Sequence, residues 1–290
     1  MNSDENIQPP PGEEPAGGAA AQTGEPAAAP AEPARFVPQD LQVPWSWTDV
    51  GLFLVLTLVT MFLLQLVAVR AFAAFGVDMR HIRESSAIQG ILVFVTEVPL
   101  AAILLTILAL QMRVRSKAPA WQTMGWRALP ETNVPRPLVV VGLIFSGLFL
   151  SFAVSLISSR FEPKANLPIQ AYFENRLSAI LIMSMAVVVA PVFEETIFRG
   201  YLYPVIARSW GVASGIFVTG TLFGLLHSMQ LWGGWVQIGL LIGVGIVFTY
   251  ARAVSKTVLA SYLLHVSYNS SIFLAFLIAS HGLRQLPSIH

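Results

Sequence analysis

Apolar runs separated by short polar connections recur from residue 50 to residue 279, and their lengths are those of helices that cross a bilayer. Val50–Val69 holds 20 residues without a charge, about what a helix needs to span a hydrocarbon core of roughly 30 Å. Trp45 and Trp47 precede it, where interfacial aromatic residues belong. A second run covers about Ala87–Met112 and is interrupted by Glu97, and a third, Pro137–Ser159, has 23 uncharged residues. The fourth begins near Leu177 and meets Glu194 and Glu195 before its apolar stretch ends. Ser209–Ala251 has 43 residues without Lys, Arg, Asp or Glu, enough for two passes, with Leu231–Trp235 (LWGGW) as the turn between them. The last run covers about Thr257–Ala279. The pattern predicts an all-α polytopic membrane helix bundle of about seven transmembrane helices. The range is six to eight, the eighth being a separate interfacial helix over Gly200–Trp210.

Composition supports this reading. Hydrophobic residues make up 55% of the 290 and charged residues 11%, against about 25% charged in a soluble domain. Residues 1–40 carry seven acids and a single base, Arg35, among many Pro, Ala and Gly. Such a stretch buries too little apolar surface to offset its ordering entropy, so residues 1–44 are expected to be a disordered acidic tail. It lacks the basic start and apolar stretch of a signal peptide. Residues 45–176 then form the N-terminal transmembrane helices and 177–280 the bundle that carries chemistry. The composition excludes an ordinary soluble enzyme, and a nucleic-acid binder for want of a basic stripe. Without cysteine the chain has no disulfide, thiolate nucleophile or Cys-ligated metal. Five Lys and Arg residues lie in 113–136 and none in the LWGGW turn. Setting the first loop in the cytoplasm places ten Lys and Arg residues there and seven outside. The expected localisation is therefore a multi-pass bacterial cytoplasmic membrane protein with a cytoplasmic tail.

Ionisable groups within a bilayer cost about 2.5–3.5 kcal/mol each even on lenient insertion scales. Those in the apolar runs are Arg70, Glu97, Glu194, Glu195, His227 and His265, with Asn269 beside the last. On a helix Glu195 and Arg199 share a face in the favourable order for an ion pair, while Glu194 points about 100° away without that partner. One Glu can thus be structural and its neighbour reactive; the plainer alternative is a solvated charge cluster where a helix reaches the interface. His227 follows Phe223 by one turn, and Asn269 follows His265 by four residues; each His could equally be a satisfied polar group between helices. Depth links them. If the chain turns at Trp210–Gly211, Glu194 lies 16 residues before the turn and His227 16 after it, at one level. His265 is some ten residues past the Arg252–Lys256 loop on the same side. One Glu, two His and one Asn converging between helices are the groups needed to activate a water and bind an oxyanion. No G-x-S-x-G marks a serine nucleophile. Glu97 is expected to pair with Arg70 across helices, the other choice being a place on the cavity wall. Gly239, Gly243 and Gly245 suggest close helix packing, and Gly200 a bend after Arg199.

Glu194-Glu195-x-x-x-Arg199, Phe223-x-x-x-His227 and His265-x-x-x-Asn269 arrive in this order on successive apolar helices. Over about Leu177–Ala279 the chain resembles the CPBP family of intramembrane proteases, named for CAAX proteases and bacteriocin-processing enzymes. The resemblance implies endopeptidase chemistry on a membrane-associated or lipidated peptide, with the bilayer as the other partner. Glu194 then looks like the base that activates water, His227 and His265 like polar active-site partners, and Asn269 like an oxyanion donor. Glu195 would assist or be structural, fixed by Arg199. Glu194, His227 and His265 could also supply a His₂Glu set for Zn²⁺, although no H-E-x-x-H is present. The metal-free alternative is preferred, because a glutamate acting as ligand is no longer a free base. Two rivals remain. A proton-coupled transporter would show internal repeats and paired broken helices, and the sequence has neither; a non-catalytic, bacteriocin-immunity-type scaffold would tolerate Glu194→Ala.

Overall fold

Each apolar run becomes a helix where the sequence supplies a start. In the computed structural model, which describes residues 37–77, 85–161, 163 and 166–287, helix α1 (Trp47–Ala74) opens with the Asp49 carboxylate accepting the Ser46 amide N–H at 2.9 Å. Ser85 caps α2 (Ser86–Arg115), and α3 (Arg136–Ser158) begins with Pro137 in its first turn. Asn175 Oδ1 accepts from the amides of Leu177 and Ser178 at the head of α4 (Arg176–Trp210). Gly211, at φ 93°, turns the chain into α5 (Val212–Leu226), a backbone conformation that suits glycine. Helix α6 (Trp235–Ser255) ends at Lys256 in the left-handed region, and Thr257 caps α7 (Val258–Ala279) by accepting from Leu259 N–H at 3.2 Å.

The described residues contain no strand. Six of these helices, all but α5, are long and apolar enough to cross a membrane. Together with α5 they give the seven expected. Helix α5 has 15 residues, about 22 Å at 1.5 Å per residue, so it falls short of a full crossing. Gly200–Trp210 is the end of α4 and not a separate helix, which removes the eighth. Only 11% of the apolar windows of α1 and α3 is buried; residues such as Phe62 and Phe149 point outward, as expected of a surface that meets lipid.

Two clusters hold the helices together. Val50 and Phe53 of α1, Leu100, Leu104, Leu108 and Met112 of α2, and Tyr201 and Val205 of α4 form one. Val244 and Phe248 of α6 with Leu264 and Tyr268 of α7 form the other, against α3. Helices α5 and α6 approach closely because glycines face each other: a Cβ on Gly245 would run into Gly220. Gly239 and Gly243 have nothing within 4 Å, so of the three glycines expected to pack only Gly245 does.

Helix α4 is not a regular α-helix. It widens into π turns at Met185–Val189 and Thr196–Leu202. Each widening ends just before a proline, Pro191 and Pro204. Proline lacks the N–H for the ladder and crowds the carbonyl one turn back; a π turn lets the helix continue past it. Glu194 and Glu195 lie between the two π turns.

The segment before α1 is packed. The tail expected over 1–44 falls mostly on residues outside those described, but Val37–Pro44 belongs to the unit Val37–His290. Leu41 is buried against Tyr203 and Ala207. Asp40 pairs with Arg252 at 3.0 Å, both nearly enclosed. Trp45 stacks on Tyr201 at 5.3 Å and donates its indole N–H to the Tyr201 carbonyl at 3.0 Å. Arg208 donates to the carbonyls of Val43 and Trp45, both at 2.8 Å. Residues 37–46 therefore form a strap across the ends of α4 and α6.

Candidate active site

Five of the residues singled out in sequence, Glu194, Glu195, Arg199, His227 and His265, meet through their ionisable ends. Glu195 and Arg199 pair at 2.9 Å along α4, and both side chains are fully buried. Arg199 also donates to Thr249 Oγ1 at 3.2 Å and to the Gly245 carbonyl at 2.9 Å. Its guanidinium lies 4.5 Å from the ring centre of Phe223, so all its charge is spent on holding α4, α5 and α6 together. Glu195 is the member of the pair that solvent does not reach. Its Oε1 also accepts from His265 Nδ1 at 2.9 Å.

Glu194 faces elsewhere and retains 17% side-chain exposure. Oε1 is 3.8 Å from His227 Nε2 and Oε2 is 3.8 Å from His265 Nε2. One carboxylate thus addresses two imidazoles, one through each oxygen. The depth argument for the hairpin at Gly211 accounts for the first contact. His227 is not inside its helix, however: it caps the C-terminus of the short α5.

Both rings are fixed from behind. The Phe223 carbonyl, 2.8 Å from His227 Nδ1, can only accept, so Nδ1 carries the hydrogen there. Glu195 plays the same part for His265. In the neutral rings each Nε2 therefore presents a lone pair towards Glu194. A separation of 3.8 Å is too long for a direct hydrogen bond and suits a water bonded to both groups. Phe223 forms the apolar floor, edge-on to Phe198, Phe248 and His265.

Asn269 has a different first task. Its Nδ2 donates to the Ala186 carbonyl at 2.8 Å, inside the first π turn, where Ala190 N–H bonds back to Met185. The next bond of that ladder would come from Pro191, which has no N–H. Asn269 supplies the missing donor, and a second N–H remains on the same amide.

The donor types Glu194, His227 and His265 are right for zinc, yet their placement is not. Ligand atoms around tetrahedral zinc are about 3.3 Å apart, given bonds of about 2.0–2.1 Å. Among the described residues no group of three or more His, Cys, Asp or Glu side chains stands together as a metal site. No step below is routed through a metal.

Residues 176–271 match the family model described as Rce1-like, type II CAAX prenyl endopeptidase Rce1-like. This segment is similar to an Rce1-like domain. It agrees with the CPBP resemblance read from the three motifs, and it begins at the first residue of α4 and ends two residues beyond Asn269. A domain so described is that of a CAAX-type protease, and the likeness supports intramembrane endopeptidase activity in general. Neither curated proteins nor solved structures give a match to the chain.

Several contributors to the Rce1-like domain were not found by sequence reasoning. Thr249 and the Gly245 carbonyl, which hold Arg199, carry no ionisable signal. Glu97 does not pair with Arg70: no ion pair joins them among the described residues, and the carboxylate is near enough to Glu194 to feel its charge. The helical phase of α2 could have shown this, since Glu97 shares a face with buried Ala101, Leu104 and Leu108.

Proposed function

We propose that the chain is an intramembrane endopeptidase that hydrolyses a peptide bond of a membrane-associated or lipidated peptide through a Glu194-activated water. The observation that carries this is the partly exposed Glu194 carboxylate set between two imidazole Nε2 atoms, each 3.8 Å away. A water between Glu194 and a histidine gives its proton to Glu194 as its oxygen attacks the peptide carbonyl. The free N–H of Asn269 is suited to the developing oxyanion. Glu194, now protonated, returns the proton to the leaving amine as the C–N bond breaks. Glu195 and Arg199 act as positioning residues through His265 and the helix packing. The Lys and Arg distribution supports a cytoplasmic N-terminal tail.

The test is cleavage of lipidated and transmembrane reporter peptides in proteoliposomes. Glu194→Gln and His227→Ala are expected to lose roughly 10²–10⁴-fold in rate, the range for a general base, and chelators are expected to leave the wild-type rate unchanged. Variants that cut as well as wild type would refute the site; inhibition by chelators that zinc reverses would refute the metal-free route.

A further inference from the structure

Glu97 is the carboxylate of the membrane-spanning helices that the proposed chemistry does not use and that no described residue pairs. On α2 the buried residues are Gly90, Leu100, Ala101, Leu104, Leu108 and Met112. In steps of 100° per residue, Gly90, Ala101, Leu104 and Leu108 all lie within about 40° of Glu97. Val95, Ile103 and Leu110, on the far side of the helix, are exposed. Glu97 thus sits in the middle of the stripe that α2 turns to its neighbours, yet it is itself exposed. The packing opens at this point. Pro99, two residues on, interrupts the ladder of α2 here.

The opening faces α4. Gly90 packs directly on Ser178 near the start of both helices, and further along Tyr201 donates to Gln111 at 3.1 Å, so α2 and α4 run in the same direction. Glu97 lies seven residues past Gly90, and Glu194 sixteen past Ser178. The difference is nine residues from this contact and seven when counted back from Gln111 and Tyr201, an offset of about 10–13 Å at 1.5 Å per residue. Tyr172, in the short turn Pro168–Phe173 that leads into α4, stands on the other side of Glu97. Its phenol is pushed above its ordinary value by burial and by the Glu97 charge. Glu97 therefore stands between Tyr172 and the base Glu194 along this face of α2.

No hydrogen bond or ion pair reaches Glu97 from the described residues, and Arg199, the cation nearest the base, is fully buried and engaged. A carboxylate at membrane depth calls for a partner. Resting on the endopeptidase reading above, we infer that Glu97 is a specificity-determining residue that receives a lysine or arginine side chain of the substrate. The offset of about 10–13 Å is three or four residues of extended peptide. The basic residue therefore lies three or four positions from the scissile bond, and an acidic residue there is rejected by Glu97.

The test uses reporter peptides in proteoliposomes that differ by Lys, Gln or Glu at the third and fourth positions on either side of the scissile bond. Wild type, Glu97→Gln and Glu97→Lys are compared, with thermal midpoints checked for folding and His227→Ala as the inactive control. Wild type is expected to prefer the Lys peptide over the Glu peptide by about ten-fold in kcat/KM, the size of one close charge pair. In Glu97→Gln the preference falls to about two-fold or less, and in Glu97→Lys it inverts. Cleavage with the same Lys-to-Glu ratio in all three proteins overturns the inference and leaves the protease reading intact. If wild type cuts no reporter, the protease reading fails, and direct binding of the fluorescent Lys and Glu peptides decides on Glu97. Tighter Lys binding that Glu97→Gln abolishes upholds the subsite, and equal binding refutes it.

Discussion

Replacing Glu195 by leucine removes the partner of Arg199 without changing the volume of the core much. Both side chains are fully buried, 2.9 Å apart. The stranded guanidinium keeps Thr249, the Gly245 carbonyl and the Phe223 ring, but its hydrogen-bonded countercharge is gone and only the charge of the neighbouring Glu194 acts on it. Breaking a buried pair from one side costs about 3–5 kcal/mol; the surviving hydrogen bonds put Glu195→Leu near the lower end, about 3 kcal/mol. The double variant Glu195→Leu/Arg199→Met carries no buried charge and should recover most of that loss, since apolar replacements of buried pairs are often near neutral. Thermal unfolding in a single detergent, followed by tryptophan fluorescence, measures both. The expected order of midpoints is wild type, then the double variant, then Glu195→Leu. Activity separates the roles: the double variant regains stability but not rate, because His265 Nδ1 has still lost its acceptor. A double variant that is less stable than Glu195→Leu, or that regains full rate, would refute this account of Glu195.

Asn269→Leu leaves the Ala186 carbonyl without its donor and is expected to cost about 1–3 kcal/mol; an unchanged midpoint would mean that another group satisfies the π turn. Trp45→Ala, at a position 1% exposed, should cost about 3–5 kcal/mol and slow hydrolysis by loosening α4, read from the same melts and reporter assay. Gly245→Val should destabilise by forcing α5 from α6, whereas Gly243→Ala, with open space around it, should stabilise slightly, up to about 1 kcal/mol. Equal midpoints for the two glycine variants would contradict the packing described.

The helices and most of the site were legible because both depend on regular spacing. The turn at Gly211 fixes a common origin for Glu194 and His227, and equal counts of residues on either side bring them to 3.8 Å. Spacing gave Glu195 to Arg199 for the same reason. What was missed lies where regularity breaks. Counting 43 uncharged residues as two passes assumed two full helices, whereas α5 stops at 15 residues so that His227 can leave the helix and turn to Glu194. Pro191 and Pro204 announce the π turns, but only the fold shows that Asn269 takes up the carbonyl so freed. Glu97 was set against Arg70 because both are charges in apolar runs; its helical phase, not its charge, decides where it faces. Composition could not separate Val37–Pro44 from the Pro- and Ala-rich residues before it, since its contacts come from the other end of the chain.

Those contacts have a consequence for the order in which the molecule is built. Asp40 is made early and finds its partner 212 residues later in Arg252, and Trp45 waits 156 residues for Tyr201. Contacts of such long sequence separation close late. During synthesis α1 enters the membrane with its strap unpaired, and docking of the strap is complete only once α4 and α6 have followed. The brace is thus made in two stages, and a product cut short before Arg252 keeps the contacts of the strap to α4 but lacks the ion pair that ties it to α6.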